Sequence, residues 1–418
     1  MGVLRWLLGD DADLLADRQF QVILLANTMA PLGTALLSPV LDSLIDPFGA
    51  SAASIGLMTS MVTAPAIVLP PVAGVLADRI GRRPVLIGGL LCFGVGGTAI
   101  ALTTDFRVVL ALRLLQGIGW AGVIPVIITA IGDIYTGDRE TTAQGLRFTS
   151  SGIVQTIGPV IAGLVVVIAW QYPFLIYGLT FPVVLAVWAW FEEPVDPDAE
   201  PDSDTRGVRT QIRELWSLIA QPKPAAMLLA RAAPGIVWLG FLTYNSILVR
   251  NVLGGTPADA GLLAALGSLG YAASATQAGR ITAIFERRLV PLLMLNLALA
   301  GGMAMAFLAP GVAIAGIGVG LSGLGLGALM SIYRSIITGL APIVLRGGLV
   351  SLGEGLGRFA VTVTPVAMGA GIAIGTPMVG FVPAIRLVGV GTAVIAGFIS
   401  IGAVIVASLA PAVRDPTA

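Results

Sequence analysis

Charged side chains are scarce in this chain, and those at the tips of apolar segments or within them are the ones that could do chemistry. The run Asp78-Arg79-Ile80-Gly81-Arg82-Arg83 sets one carboxylate against three guanidiniums in a tight turn. Such a turn can anchor at lipid headgroups, form an ion pair, or set Asp78 at a helix N-terminus, where the dipole favours a negative group. A pair of that kind holds in only one arrangement of its neighbours. Gly74, Asp78, Arg79, Gly81, Arg82 and Arg83 therefore form a candidate conformational latch. Arg113 lies about six residues, roughly 9 Å, inside an apolar segment. A guanidinium there is costly unless it faces a cavity, finds a partner or snorkels outward. Glu354 is the carboxylate set well inside an apolar run, and Arg358, four residues on, shares its helix face. Held between apolar surroundings and a guanidinium, such a carboxylate can take up and release a proton. Equally, the pair can be a static tie between helices.

These residues sit in a chain that water would not tolerate as a globule. Of 418 residues, 56% are apolar and 11% charged, with a mean hydropathy of +0.94. An ordinary soluble protein carries about 25% charged residues, so a soluble enzyme or a nucleic-acid-binding protein is excluded. Disorder is excluded too, because it needs low hydrophobicity. Lys+Arg and Asp+Glu balance at 23 each, leaving no net charge to attract a polyanion. There is no histidine and one cysteine, Cys92, which removes histidine-bearing metal sites, Ser-His-Asp triads and Cys-His dyads. The expectation is an all-α membrane protein, not an enzyme, with no cofactor and no metal, whose partner is the lipid bilayer.

Runs long enough to cross the hydrocarbon layer, about 20 residues each, fall near 19–43, 53–77, 84–104, 107–131, 142–168 and 172–191. After a polar stretch they resume near 225–249, 258–283, 289–308, 312–338, 347–372 and 384–409. The expected organisation is an N-terminal segment (1–18), a six-helix bundle (19–191), a linker (192–224), a second six-helix bundle (225–409) and a tail (410–418). Leu4, Trp6, Leu7 and Leu8 suggest an interfacial helix, and a surface helix is expected near 208–220 within the solvated linker. With both ends inside, the short inner loops hold Arg79, Arg82, Arg83, Arg139, Arg287, Arg288 and Arg346. The outer loops then hold only Arg107, Arg250 and Arg386, and the linker adds Arg206, Arg209, Arg213 and Lys223 inside. That bias places both termini in the cytoplasm of a multi-pass cell-membrane protein.

The chain also matches itself at an offset of about 205 residues. Gly56, Gly74, Arg82 and Arg83 fall on Gly261, Gly279, Arg287 and Arg288, and Pro159 and Gly163 fall on Pro365 and Gly369. Two like halves suggest a parallel repeat with a substrate site between them near mid-membrane.

The string from Gly74 to Arg83 resembles the G-x-x-x-D-R-x-G-R-R/K signature of the major facilitator superfamily and matches it at every position. Arg113-Leu-Leu-Gln116-Gly117-Ile-Gly119 looks like that family's R-x-x-Q-G-x-G motif, whose arginine is tied to proton movement in proton-coupled members. Gly152, Gly158, Pro159 and Gly163 resemble the G-P-x-x-G motif of its drug/proton antiporter branch, and Ser38-Pro39-Val40-Leu41-Asp42 resembles the first helix of that branch. The resemblance implies two pseudo-symmetric six-helix bundles and secondary active transport. It points to proton-coupled efflux of a small amphipathic or apolar compound by a monomer, with a proton or another ion as partner. Arg113, Glu354 and Arg358 are then the expected proton-coupling groups. Asn27, Thr28, Gln116, Gln155, Tyr244 and Asn245 are candidates to line the substrate cavity or to bond between helices. No G-x-x-x-x-G-K-S/T loop is present, so a gradient must supply the energy. The alternatives are uptake of a sugar or organic anion by symport or facilitated diffusion, and a receptor or scaffold that does not transport.

Overall fold

The computed structural model describes residues 9–194, 208–285, 289–342 and 345–414. Every regular element among them is helical. The first half holds α1 (Arg18–Ala35), α2 (Leu57–Thr63), α3 (Leu69–Ile80), α4 (Arg82–Thr98), α5 (Phe106–Ile134), α6 (Gly137–Val165), α7 (Tyr172–Leu175) and α8 (Thr180–Trp190). The second half holds α9 (Val208–Ile219), α10 (Pro222–Ile247), α11 (Pro257–Ile284), α12 (Leu289–Leu308), α13 (Val312–Leu340), α14 (Arg346–Val379) and α15 (Phe381–Leu409). The interfacial positions Leu4, Trp6, Leu7 and Leu8, and the loop residues Arg206, Arg287 and Arg288, lie outside the described residues.

Nine helical segments among the described residues are long and apolar enough to cross a membrane, or ten when α2 and α3 count as one span. The first and eighth expected spans, α1 and α11, are helical but more polar. Gln19, Gln21 and Asn27 dilute α1, and Ser274, Gln277 and Arg280 dilute α11. The second expected span, 53–77, is not one straight helix. A 3-10 turn at Ala64–Ile67 separates α2 from α3, and the chain bends by 50°. Pro70 and Pro71 open α3, and neither has an amide hydrogen with which to continue the helix before it. The surface helix expected near 208–220 is α9.

Contacts divide the chain into two compact units, the first ending at Glu200 and the second beginning at Pro201, with Ser51–Gly56 grouped with the second. The offset seen in the sequence recurs in how each unit packs. In the first, a side chain on Gly117 of α5 would collide with the carbonyl of Val62 in α2. In the second, one on Gly323 of α13 would collide with the carbonyl of Gly267 in α11. Both members of this contact shift by 205 or 206 residues. So does the contact between the first and fifth spans, where Gly158 lies against Ala35 and Thr364 lies against Gly240. Small residues at these points let backbones approach where lipid offers no hydrophobic drive for association.

Candidate functional site

Gly81 ends α3 with a φ of +95°, a conformation that side chains other than glycine's rarely adopt, and α4 starts at the next residue. Across this turn Arg82 pairs with Asp78 at 2.7 Å and with Asp133, at the far end of α5, at 2.9 Å. Arg82 is 7% exposed, so it is a buried link rather than a headgroup anchor. Arg79 is exposed, and Gly74 has open space beside it. The first amides of α4 donate to one carboxylate: Arg82 N to Glu193 Oε1 at 2.6 Å and Arg83 N to Glu193 Oε2 at 2.8 Å. The Arg83 guanidinium bonds the carbonyl of Trp188. Glu193, expected in the solvated linker, therefore caps α4, where its charge suits the helix dipole. Asp78, expected either to pair with an arginine or to cap a helix, does the first.

The same end of the first unit is strapped by acids that precede α1. Asp17 caps α1 by accepting from Gln19 N at 2.9 Å, and also accepts from the Tyr135 hydroxyl at 2.5 Å. Asp13 pairs with Arg139 at 3.1 Å, and Asp11 accepts from Thr142 Oγ1 at 2.6 Å. Burial and the Asp17 carboxylate push the Tyr135 phenol well above its ordinary range.

Arg113 is 0% exposed, so it does not snorkel. Its Nη1 donates to Gln116 Oε1 at 2.7 Å and to the Gly33 carbonyl and Tyr177 hydroxyl, both at 3.4 Å. The rings of Phe174 and Tyr177 lie 5.4 and 5.7 Å from its Cζ. Its Nε and Nη2, with Gln116 Nε2, are buried without a hydrogen-bond partner. Gln116 thus belongs to the arginine's surroundings rather than to a cavity wall.

In the second unit, Glu354 draws guanidiniums from two other helices: Arg231 of α10, by a short hydrogen-bonded pair, and Arg334 of α13, at 2.8 Å. Arg358 stands one turn further along α14. Glu354 lies about 12 Å from the start of α14, Arg231 about 14 Å from the start of α10, and Arg334 about 9 Å from the end of α13. All three are set well inside their helices, yet the Arg334 side chain is 52% exposed and that of Glu354 34%. The sequence paired Glu354 with Arg358 alone. Arg231 and Arg334 were legible by the same rule that singled out Arg113, a guanidinium inside an apolar run. What the sequence hid was that three helices bring them to one carboxylate.

This charged tie has a neutral counterpart. Arg231 Nη1 donates to the Gly353 carbonyl at 3.1 Å; in the first unit Asn27 Nδ2 donates to the Arg147 carbonyl at 3.0 Å. The offsets are 204 and 206 residues, so the same first-to-fifth-span link carries an ion pair in one half and is a neutral carboxamide hydrogen bond in the other. Asn27 also bonds Ser150 and Ser151, at 3.0 and 2.8 Å, and is buried. Tyr244 donates to the Pro365 carbonyl at 2.9 Å and Asn245 to the Ala260 carbonyl at 2.7 Å, both fully buried. Asn27, Tyr244 and Asn245, expected to line a cavity or to bond between helices, do the second. Thr28 does line a cavity, an apolar one of about 250 Å³ between α1 and α6 that Gly158 also borders. Gln155 is exposed on α6, Gly152 has open space beside it, and Pro159 and Gly163 are buried.

Among the described residues no three His, Cys, Asp or Glu side chains gather where they could hold a metal ion. A family model described as Major Facilitator Superfamily matches residues 23–360. The Bacillibactin exporter of Bacillus subtilis (strain 168) is 33% identical over 150 residues, 34% of this chain and 37% of its own. The chain thus spans little more than a third of that relative's length. Tetracycline resistance protein, class B, of Escherichia coli is 27% identical over 304 residues, 69% of this chain and 72% of its own. The crystal structure of a bacterial homolog to the human lysosomal transporter Spinster, in an inward-facing and unoccupied conformation, superposes with a TM-score of 0.78. It does so at 18% identity, over 93% of this chain and 96% of that one, a likeness of fold.

Proposed function

We propose, from the premise that this chain belongs to the Major Facilitator Superfamily, that it exports a small amphipathic or apolar compound in exchange for protons by alternating access. It is a multi-pass membrane transporter of two six-helix bundles, not an enzyme. The observation that carries the proton-coupled reading is Glu354, a carboxylate inside an apolar helix, held by guanidiniums from two neighbouring helices and partly exposed. A proton on Glu354 removes the charge that both arginines bind, so α10, α13 and α14 are tied differently in the two protonation states. Arg358 tunes that site, and Arg113 is a second fixed charge in the path. Export is supported by the name of one relative, the Bacillibactin exporter, and fits the resistance named for another.

In this reading residues 19–191 and 225–409 are the two halves that alternate, 192–224 is the linker, and 1–18 and 410–418 face the cytoplasm. The turn of Gly74, Asp78, Arg79, Gly81, Arg82 and Arg83 is the latch. Asp78 serves as its switchable member, because its side chain is 64% exposed while that of its partner Arg82 is buried. Gly152, Gly158, Pro159 and Gly163 let α6 bend and pack, and Thr28 and Gln155 contact substrate. The protein works as a monomer.

The test is Glu354→Gln in proteoliposomes. Flux driven by an imposed pH gradient is lost while counterflow exchange of the same compound persists. Undiminished gradient-driven flux in the variant would remove Glu354 from the coupling.

A second reading is favoured by the excess of guanidiniums: Arg231, Arg334 and Arg358 surround one carboxylate. That excess suits an organic anion. An anion that takes Arg231 and Arg334 leaves Glu354 with Arg358 alone and so favours a proton on it; proton and anion are then bound in the same state, which is symport. Accumulation of an anionic solute with the proton gradient, rather than against it, decides for this reading.

A further inference from the structure

At one end of the second unit α10, α12, α13 and α15 line an open cavity of about 350 Å³, within the range of small-ligand pockets, about 300–1,000 Å³. Among the described residues, Lys223, Ser335 and Ser408 are the polar side chains that line it. Lys223 is in the first turn of α10 and Ser408 in the last turn of α15, so the cation and one hydroxyl lie at the helix ends. Met227, Leu292 and Val404 line it further along the helices. Deeper on the same four helices, Asn296 Nδ2 bonds the Tyr333 hydroxyl at 2.8 Å. Tyr333 and Ser400 bond at 2.9 Å, and Ser400 donates to the Ala230 carbonyl at 3.0 Å. That buried chain ties the same four helices together.

Its mouth is set for an anion. Lys223 is the one lysine among 23 basic residues, and a lysine stem can lie along apolar surface while its ammonium reaches the headgroup level. Gln221, two residues earlier, holds the chain after α15 by two bonds. Its Nε2 donates to the Arg414 carbonyl at 2.9 Å, and its Oε1 accepts from Arg414 N at 2.8 Å. A second cationic residue is thereby fixed beside the first turn of α10. Among the described residues that line it there is no carboxylate to partner the ammonium of a zwitterionic headgroup. Val290, Ile405 and Leu409, on the flanking helices, are exposed apolar side chains suited to lipid.

We propose that this cavity binds one anionic phospholipid, with an acyl chain between α10, α12, α13 and α15 and its phosphate on Lys223, assisted by Arg414. A cation beside an apolar slot between membrane helices selects such a lipid by charge and chain together.

The full-length protein is titrated in detergent with phosphatidylglycerol or with phosphatidylcholine of the same chains, and the adducts are followed by native mass spectrometry. One phosphatidylglycerol binds about fivefold or more tightly than phosphatidylcholine, and Lys223→Ala brings the two together. Gly339, which borders the cavity, has no atom within 4 Å of where its Cβ would stand. Gly339→Leu therefore starts from open space at its Cβ on the cavity wall, and it favours the helix. It weakens binding of both lipids while the thermal midpoint holds or rises. Equal affinity for the two lipids in the unmodified protein overturns the proposal. So does undiminished phosphatidylglycerol binding in either variant.

Discussion

At the scale of single residues, the first unit contains a charge with no ionic partner among the described residues. Arg113 is sealed among Gln116, Tyr177, Phe174 and the Gly33 carbonyl, with two of its nitrogens unbonded. A buried ion lacking a counterion costs more than an apolar side chain of similar volume. Arg113→Met is therefore expected to raise stability by about 1–2 kcal/mol, read as a higher unfolding midpoint, and to lower transport. A loss of stability on that substitution would show that the guanidinium holds the bundle together. Tyr135 predicts a pH dependence. Its phenol is held protonated by burial and Asp17, so its folded pKa lies above the unfolded value of about 10. Its contribution is complete below about pH 10 and is lost as pH rises through the folded value. Tyr135→Phe should flatten the alkaline fall of the thermal midpoint above about pH 10. A fall as steep as in the unmodified protein would assign it to other groups.

At the scale of elements, local sequence and tertiary partner divide the information between them. The Asp-Arg-x-Gly-Arg-Arg run announced a turn between two helices, and its glycine takes the positive φ that such a turn requires. The partner that caps the second helix, Glu193, lies more than a hundred residues away in a stretch that reads as linker, so proximity alone revealed it. Glu193→Ala should cost about 1–2 kcal/mol. Gly81→Ala should cost at least as much, since its new Cβ would stand 2.6 Å from the same carboxylate in a strained backbone. Thermal unfolding in detergent checks both, and an unchanged midpoint in either would deny the cap its weight. Span two shows the opposite limit: apolarity marked its length, but the 50° bend came from consecutive prolines that a hydropathy window averages away.

At the scale of the whole molecule, the twofold repeat was the most legible feature, and packing sharpens it. Contacts between the second and fourth spans and between the first and fifth recur at the offset that a few glycines and prolines suggested. What the repeat could not foretell is where it is broken. The amide link of Asn27 in the first unit becomes the charged link of Arg231 and Glu354 in the second. The polar candidates Tyr244 and Asn245 proved to be internal bonds because a side chain's direction on its helix is set by neighbours the sequence does not show. The arginine bias of the loops predicts that tags at both termini react only from the cytoplasmic side of intact cells. A terminus labelled from outside would reverse the topology on which the direction of transport depends.

Transport by the purified protein, reconstituted in vesicles under an imposed pH gradient and offered a panel of amphipathic compounds, tests the central claim most directly. The account predicts that at least one compound moves opposite to the proton flow, and that its movement stops when a protonophore collapses the gradient. Movement of solute together with the proton, or flux indifferent to the gradient, would contradict it.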